Sequence, residues 1–192
     1  RMPGKIFQND DEGTSLGSKD RLTLLFGCNA EGDFKLKPLL VYYSETPRAM
    51  KGYSKPDLPV IWRSNKNAFI CVSIFQEWFS TYFCPAVEKY CYLNNLPYRA
   101  LLIIDKGLGH PVNLNDISQH VRVEFLPKNR TSSIQPMCQG VVSTFKACYL
   151  RRAFAQFVQL TENTGAPIKK ELWRNYHIMN AIDNISESWE EL

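Results

Sequence analysis

The sequence predicts an α/β fold, a mixed sheet flanked by helices. Short apolar runs bounded by turn residues stand at 22–28, 34–43, 100–105 and 121–126. Longer segments with apolar residues three and four apart follow them at 69–93, 140–160 and 168–192. A hydrophobic share of 44% over 192 residues is enough for one buried core. The expected organisation is one domain over 1–160 with a C-terminal helical extension of the same domain over 161–192.

Residues 1–19 are rich in Gly, Ser, Asp and Asn and read as loop. Asp10-Asp11-Glu12 lies outside any strand pattern and fits a solvated turn better than a metal ligand. Leu22 to Cys28 reads as a strand, 29–33 as a turn, and Phe34 to Tyr43 as its hairpin partner. Pro38 has no N–H to donate, so the second strand is expected at an edge or with a bulge. Lys35 and Lys37 alternate against Phe34, Leu36 and Leu40, a pattern that suits phosphate contacts or an ordinary solvated face. Residues 44–68, punctuated by Pro47, Gly52, Pro56 and Pro59, read as irregular. There Lys51, Lys55, Arg63 and Lys66 interleave with Tyr53 and Trp62. Such a segment can follow a nucleic-acid backbone and stack bases, or can be a loop anchored by two aromatics.

Ile74, Phe75, Trp78, Phe79, Tyr82 and Phe83 recur at helical spacing, and Pro85 should kink or break the helix before it continues through Val87, Tyr90 and Cys91. The run Ala100 to Ile104 ends in Asp105, followed by a Gly-rich turn, Lys106 to Pro111. An acid at the carboxyl end of a buried strand projects into a crevice and suits a divalent metal; equally, Asp105 can simply cap the turn. His110 can orient a carboxylate, touch phosphate, or serve the turn alone. Asn113 to Ser118 is a short helix, Val121 to Leu126 a strand, and Gly140 to Leu160 the strongest helical pattern. Residues 161–168 read as loop, and Ile168 to Leu192 as one or two helices burying Leu172, Trp173, Tyr176, Met179 and Ile182.

Six cysteines without a C-x-x-C pair, four of them in apolar segments, read as reduced and mostly buried thiols of an intracellular protein. His110, His120 and His177 complete no zinc spacing. A net charge of +4 is compatible with nucleic acid and with an ordinary solvated surface. No run reaches the ~18 apolar residues of a membrane span, so no membrane partner is expected. The start, Arg1-Met2-Pro3, reads like the middle of a longer protein.

A hairpin followed by α/β crossovers matches a ribonuclease-H-like sheet lacking its first strand, with a C-terminal helical segment. The motifs carry a more specific resemblance. Lys19-Asp20-Arg21-Leu22-Thr23-Leu24-Leu25, Gly32 to Pro38, Trp78-Phe79, Leu102-Ile103-Ile104-Asp105, Gly109-His110-Pro111, Phe125-Leu126-Pro127 and Gln135-Pro136-Met137 with Gln139-Gly140-Val141 resemble, in order and spacing, the DDE nuclease domain of tigger/pogo-type transposases. Centromere protein B and the jerky proteins are domesticated relatives of that group.

The resemblance implies cut-and-paste DNA chemistry in which three acids hold two Mg²⁺ or Mn²⁺ ions, because hard cations require several oxygen ligands. It places the second acid at Asp105, which is retained as a catalytic and metal-binding position. The third falls at Cys138, a soft thiol that is a poor Mg²⁺ ligand. The first belongs to a strand ahead of Arg1, and Asp10 and Asp11 fall after it. Where the family usually has Asn-Ala-Pro-Gly-His, this chain has Lys106-Gly107-Leu108-Gly109-His110, and Lys106 sets a positive charge beside the metal position.

The expectation is therefore a catalytically inactive, transposase-derived domain in a nuclear, DNA-associated protein. It needs no cofactor, or Mg²⁺ or Mn²⁺ if activity remains. Its DNA contacts are weak, through Lys35, Lys37, Lys51, Lys55, Arg63, Lys66, Lys106 and His110, or pass through helix-turn-helix modules elsewhere, with other nuclear proteins as further partners. Two alternatives stand beside it: an active metal-dependent endonuclease pairing Asp105 with Glu124, and a protein-interaction module without DNA binding.

Overall fold

The computed structural model describes residues 21–107, 109–127, 135–164 and 176–192. The expected turn at Asp10-Asp11-Glu12, the 128–134 segment, residues 165–168 of the expected 161–168 loop and the buried Leu172 and Trp173 lie outside the described residues, whereas 161–164 of that loop are helical. The mixed α/β class holds. The chain packs as two compact units, one of 1–45, 61–102 and 107–124, the other of 46–60, 103–106 and 125–192.

In the first unit, β1 (Thr23–Leu25) runs antiparallel to β2 (Leu39–Tyr42), with Leu24 opposite Leu40. Leu39, Leu40 and Val41 are fully buried, each contributing roughly 1.5–3 kcal/mol by leaving water. Both strands are shorter than the sequence predicts. Pro38 is the reason: it interrupts the ladder, which resumes as a single Cys28–Lys35 bridge with Leu36 N–H bonded to the Gly27 carbonyl at 2.8 Å. Pro38 is expected at an edge or with a bulge: β2 is central, and the second alternative holds, because the pairing shifts by one residue across Pro38, from Leu25 opposite Leu39 to Cys28 opposite Lys35. The proline sits just ahead of β2, where its missing N–H costs the ladder nothing, and its carbonyl accepts the Ile61 N–H at 2.8 Å.

The second neighbour of β2 is β3 (Ile61–Ser64), parallel to it, with Leu40 opposite Trp62. This corrects the irregular reading of 44–68. A four-residue strand containing Arg63 is too short to show a period, yet Ile61 and Trp62 are buried and the Trp62 indole donates to the Glu45 carbonyl at 3.0 Å.

The predicted helix over 69–93 forms as α1 (Val72–Trp78), a π-helical turn (Phe79–Phe83) and α2 (Cys84–Leu93). Proline neither breaks nor sharply ends it. Pro85 has no N–H and crowds the carbonyl four residues back. The turn before it opens to i→i+5 bonding, as in the Cys84 N–H to Phe79 carbonyl bond.

Strands β4 (Ala100–Ile104) and β5 (Val121–Phe125) form a separate two-stranded sheet among the described residues. The single sheet expected from the sequence thus appears as two small ones. Hydrogen bonds from Ala100 N to His120 O (2.9 Å) and Leu126 N to Ile104 O (2.8 Å) set β4 and β5 parallel. The second edge of β5 is closed by a side chain: Asn115 accepts from Val123 N–H at 2.7 Å and donates to its carbonyl at 3.2 Å. A short 3₁₀ helix, Leu114–Asp116, replaces the predicted helix over 113–118.

In the second unit, α3 (Val141–Thr164) packs against α4 (Ile178–Glu190). Phe145, Cys148 and Ala153 are buried, whereas Phe154 and Val158 are exposed. Ile182 and Ile185 line α4 beside the buried Asn184, whose amide exchanges hydrogen bonds with Gln156 (3.1 and 3.0 Å) and donates to the Tyr176 hydroxyl (3.1 Å). Satisfied in this way, Asn184 fixes the helix register rather than destabilising the core. Outside the core, Arg151 and Arg152 pair with Glu187 and Glu191. All six cysteines are free thiols, but only Cys91 and Cys148 are buried, which corrects the expectation of mostly buried thiols.

Candidate functional site

Asp105 follows the last residue of β4 and is half-buried, but β4 is not the buried strand that the apolar run predicts, since Leu101 and Ile103 are exposed. Cys138 lies in the 3₁₀ turn Pro136–Gln139 just ahead of α3. It is exposed, and its thiol donates to the Gln135 side-chain carbonyl at 3.1 Å. The Gly140 carbonyl then accepts from Thr144 N–H at 2.9 Å and from the Ser143 hydroxyl at 2.7 Å, which fixes the first turn of α3. Asp105, Lys106 and Cys138 belong to the second unit.

This donor set does not fit a two-metal centre. At the third-acid position it offers a soft thiol already hydrogen-bonded to an amide, where a hard cation wants an anionic oxygen. Among the described residues no three His, Cys, Asp or Glu side chains cluster as metal ligands. Glu124 is exposed on β5 and paired with Arg122, with Arg122 Nε donating at 2.7 Å.

The turn after Asp105 is seated on α1 within the first unit. The His110 ring packs against the Phe75 ring, centroids 4.5 Å apart, and Asn113 accepts a long hydrogen bond from Gln76 at 3.4 Å. Gly109 lies so close to the Ile70 carbonyl that a Cβ there would come within 2.2 Å of its oxygen. The motif Gly109-His110-Pro111 thus has a packing role that its spacing alone does not disclose.

The basic residues are distributed unequally. Lys35, Lys37, Arg63, Lys66 and His110 belong to the first unit, Lys51, Lys55 and Lys106 to the second. Lys37, Lys51, Lys66 and Lys106 are exposed, while Lys35 and Lys55 are half-buried. Arg63 is held by its own unit. It makes a two-pronged pair with Glu77, with Nε to Oε2 at 2.9 Å, and its Nη2 donates to the Tyr82 hydroxyl at 3.0 Å. Glu77 and Tyr82 were not legible as partners, because the contact joins a strand to a helix.

The hydrogen bond from Arg63 holds the Glu77 carboxyl below its ordinary range. Its folded pKa lies below the unfolded one, so the pair's contribution is present above about pH 4.3 and is lost as pH falls through the folded value. The carboxylate side chain is 46% exposed, which limits the contribution to about 0.5 kcal/mol. Glu77→Gln should therefore be less stable than wild type at pH 6, with the difference shrinking as pH falls below about 4.3, read by urea unfolding at each pH.

A family model described as "DDE superfamily endonuclease" matches residues 19–192. The chain belongs to the DDE superfamily endonuclease family. This DDE chain is 38% identical over 173 residues to the human Jerky protein homolog, covering 89% of the chain and 28% of that protein. It is 32% identical over 187 residues to human Tigger transposable element-derived protein 7, covering 91% of the chain and 34% of that protein. ARS-binding protein 1 of Schizosaccharomyces pombe is 27% identical over 179 residues, covering 89% of the chain and 32% of that protein. The chain thus spans about a third or less of these relatives. No solved structure matches it. Among the described residues no helix is long and apolar enough to cross a membrane.

Proposed function

We propose that this DDE domain is catalytically inactive and acts as a DNA-associated module of a nuclear protein. The observation that carries the reading is the thiol of Cys138, exposed and bonded to Gln135, at the position where the family resemblance puts the third acid. With Cys138 at the third-acid position, an anionic oxygen ligand that two divalent ions require is missing, whether or not an upstream strand supplies the first acid. The ribonuclease-H-like arrangement, with a first strand supplied from outside this chain, belongs to the same reading. Sequence reading falls to helix-turn-helix modules elsewhere in a longer protein, and this domain adds weak phosphate contacts through exposed lysines such as Lys37 and Lys66. A relative named for binding ARS elements favours DNA over a purely protein-binding role.

Fluorescence anisotropy with duplex DNA, titrated over salt with and without Mn²⁺, tests it. Affinity should fall steeply with salt and ignore Mn²⁺, and supercoiled plasmid should be nicked no faster than by Asp105→Ala. Nicking that Asp105→Ala abolishes would restore the nuclease reading, and absence of binding at low salt would leave only protein contacts.

A further inference from the structure

One surface turn of the first unit is built more firmly than a connection between β3 and α1 requires. Asn65 organises it: its side-chain carbonyl accepts from Asn67 N–H at 3.2 Å and Phe69 N–H at 3.1 Å, and its amide donates to the Phe69 carbonyl at 2.5 Å. Its own N–H continues the sheet ladder to the Tyr42 carbonyl at 3.0 Å. From β1, the Thr23 hydroxyl donates to the Ala68 carbonyl at 2.6 Å. Ala68, a non-glycine residue, is held at φ 52°, a left-handed conformation that costs free energy and persists only where the surroundings impose it.

This framework presents an unusual set of side chains to solvent. Phe69 is 48% exposed, an aromatic ring the core does not claim. The Arg21 guanidinium lies over the ring, 5.0 Å from its centroid. Lys66 and Asn67 on the same turn are both exposed. A ring with a guanidinium on it and an exposed lysine on the same turn matches the two parts of an unpaired nucleotide: a flat base that gains by stacking, and phosphates that pair with cations. A base inside a duplex is already stacked and cannot use the ring, so duplex DNA would engage the cations alone.

We propose that Arg21, Lys66 and Phe69 form a stacking site for one unpaired nucleotide of single-stranded DNA, with Phe69 taking the base and the two cations its flanking phosphates. The site rests on the DNA-associated reading above and adds to it a preference for unpaired strands at a defined place.

The test uses a short single-stranded oligonucleotide carrying one 2-aminopurine, and a duplex of the same sequence. Stacking on Phe69 quenches the 2-aminopurine. Phe69→Leu keeps an apolar side chain but no stacking face. It should weaken single-strand binding about tenfold, remove the quench and leave duplex binding unchanged, whereas Phe69→Trp keeps all three. Lys66→Gln should reduce the slope of log affinity against log salt for the single strand by about 0.7. If wild type and Phe69→Leu bind and quench alike, the stacking site is wrong while the DNA-associated reading stands. If wild type binds neither DNA at low salt, both fall.

Discussion

Phe75→Ala lowers the unfolding free energy by about 4 kcal/mol. The ring is completely buried in α1, tilted against the rings of Trp78 at 5.3 Å and His110 at 4.5 Å between centroids. Truncation removes its transfer free energy and leaves a cavity between a helix and a turn that are each fixed by other bonds, so collapse is incomplete. Small domains have only about 5–15 kcal/mol in total, so the variant should approach the limit of folding. Urea unfolding followed by tryptophan fluorescence gives the value. A loss under about 1.5 kcal/mol would mean the turn relaxes into the space, and the seating of His110 on α1 would then be a loose contact.

Gly109→Ala should cost about 3 kcal/mol, although it adds one methyl group. The added carbon would stand 2.2 Å from the Ile70 carbonyl oxygen, and the obstacle is main chain rather than a side chain that can swing away. Relief requires the turn to lift from α1, which also pulls the His110 ring from Phe75. The two substitutions therefore share a contact, and their effects should fall short of additive by 0.5 kcal/mol or more. Strict additivity in the double variant would show that Gly109 and Phe75 serve separate parts of the packing.

What the sequence disclosed follows the physics of each signal. Period and turn chemistry are local, so the hairpin around 29–33, the helical character of 72–93, the strand just ahead of Asp105 and the start of the helix after Gly140 were all legible. The family resemblance, carried by Leu102-Ile103-Ile104-Asp105 and Gln135-Pro136-Met137, was legible as well, and the family match over 19–192 bears it out. Non-local facts were not legible. Strand β3 is recognisable only by its parallel partner β2, and the Arg63–Glu77 pair only once a strand and a helix are set side by side. Asn115 standing in for a strand at the edge of β5 leaves no periodic trace at all. The turn that holds Phe69 was read as part of an irregular stretch, because its order comes from Asn65 and from Thr23, a residue on a distant strand.

The π-turn at Phe79–Phe83 also settles the angular bearing of the helix that contains it. Phe75, Phe79, Phe83, Val87 and Cys91 are all buried and stand at intervals of four. In a regular helix of 3.6 residues per turn each such step overshoots a full rotation by about 40°. Four steps would carry the row some 160° around the axis, turning Cys91 toward the side opposite Phe75. The wider winding of the i→i+5 turn rotates the chain less per residue and takes back much of that drift. A row that would have spiralled round to solvent therefore runs nearly straight along one side. The proline that rules out an ordinary helix at this point is what keeps the two halves of 72–93 aimed at the same core.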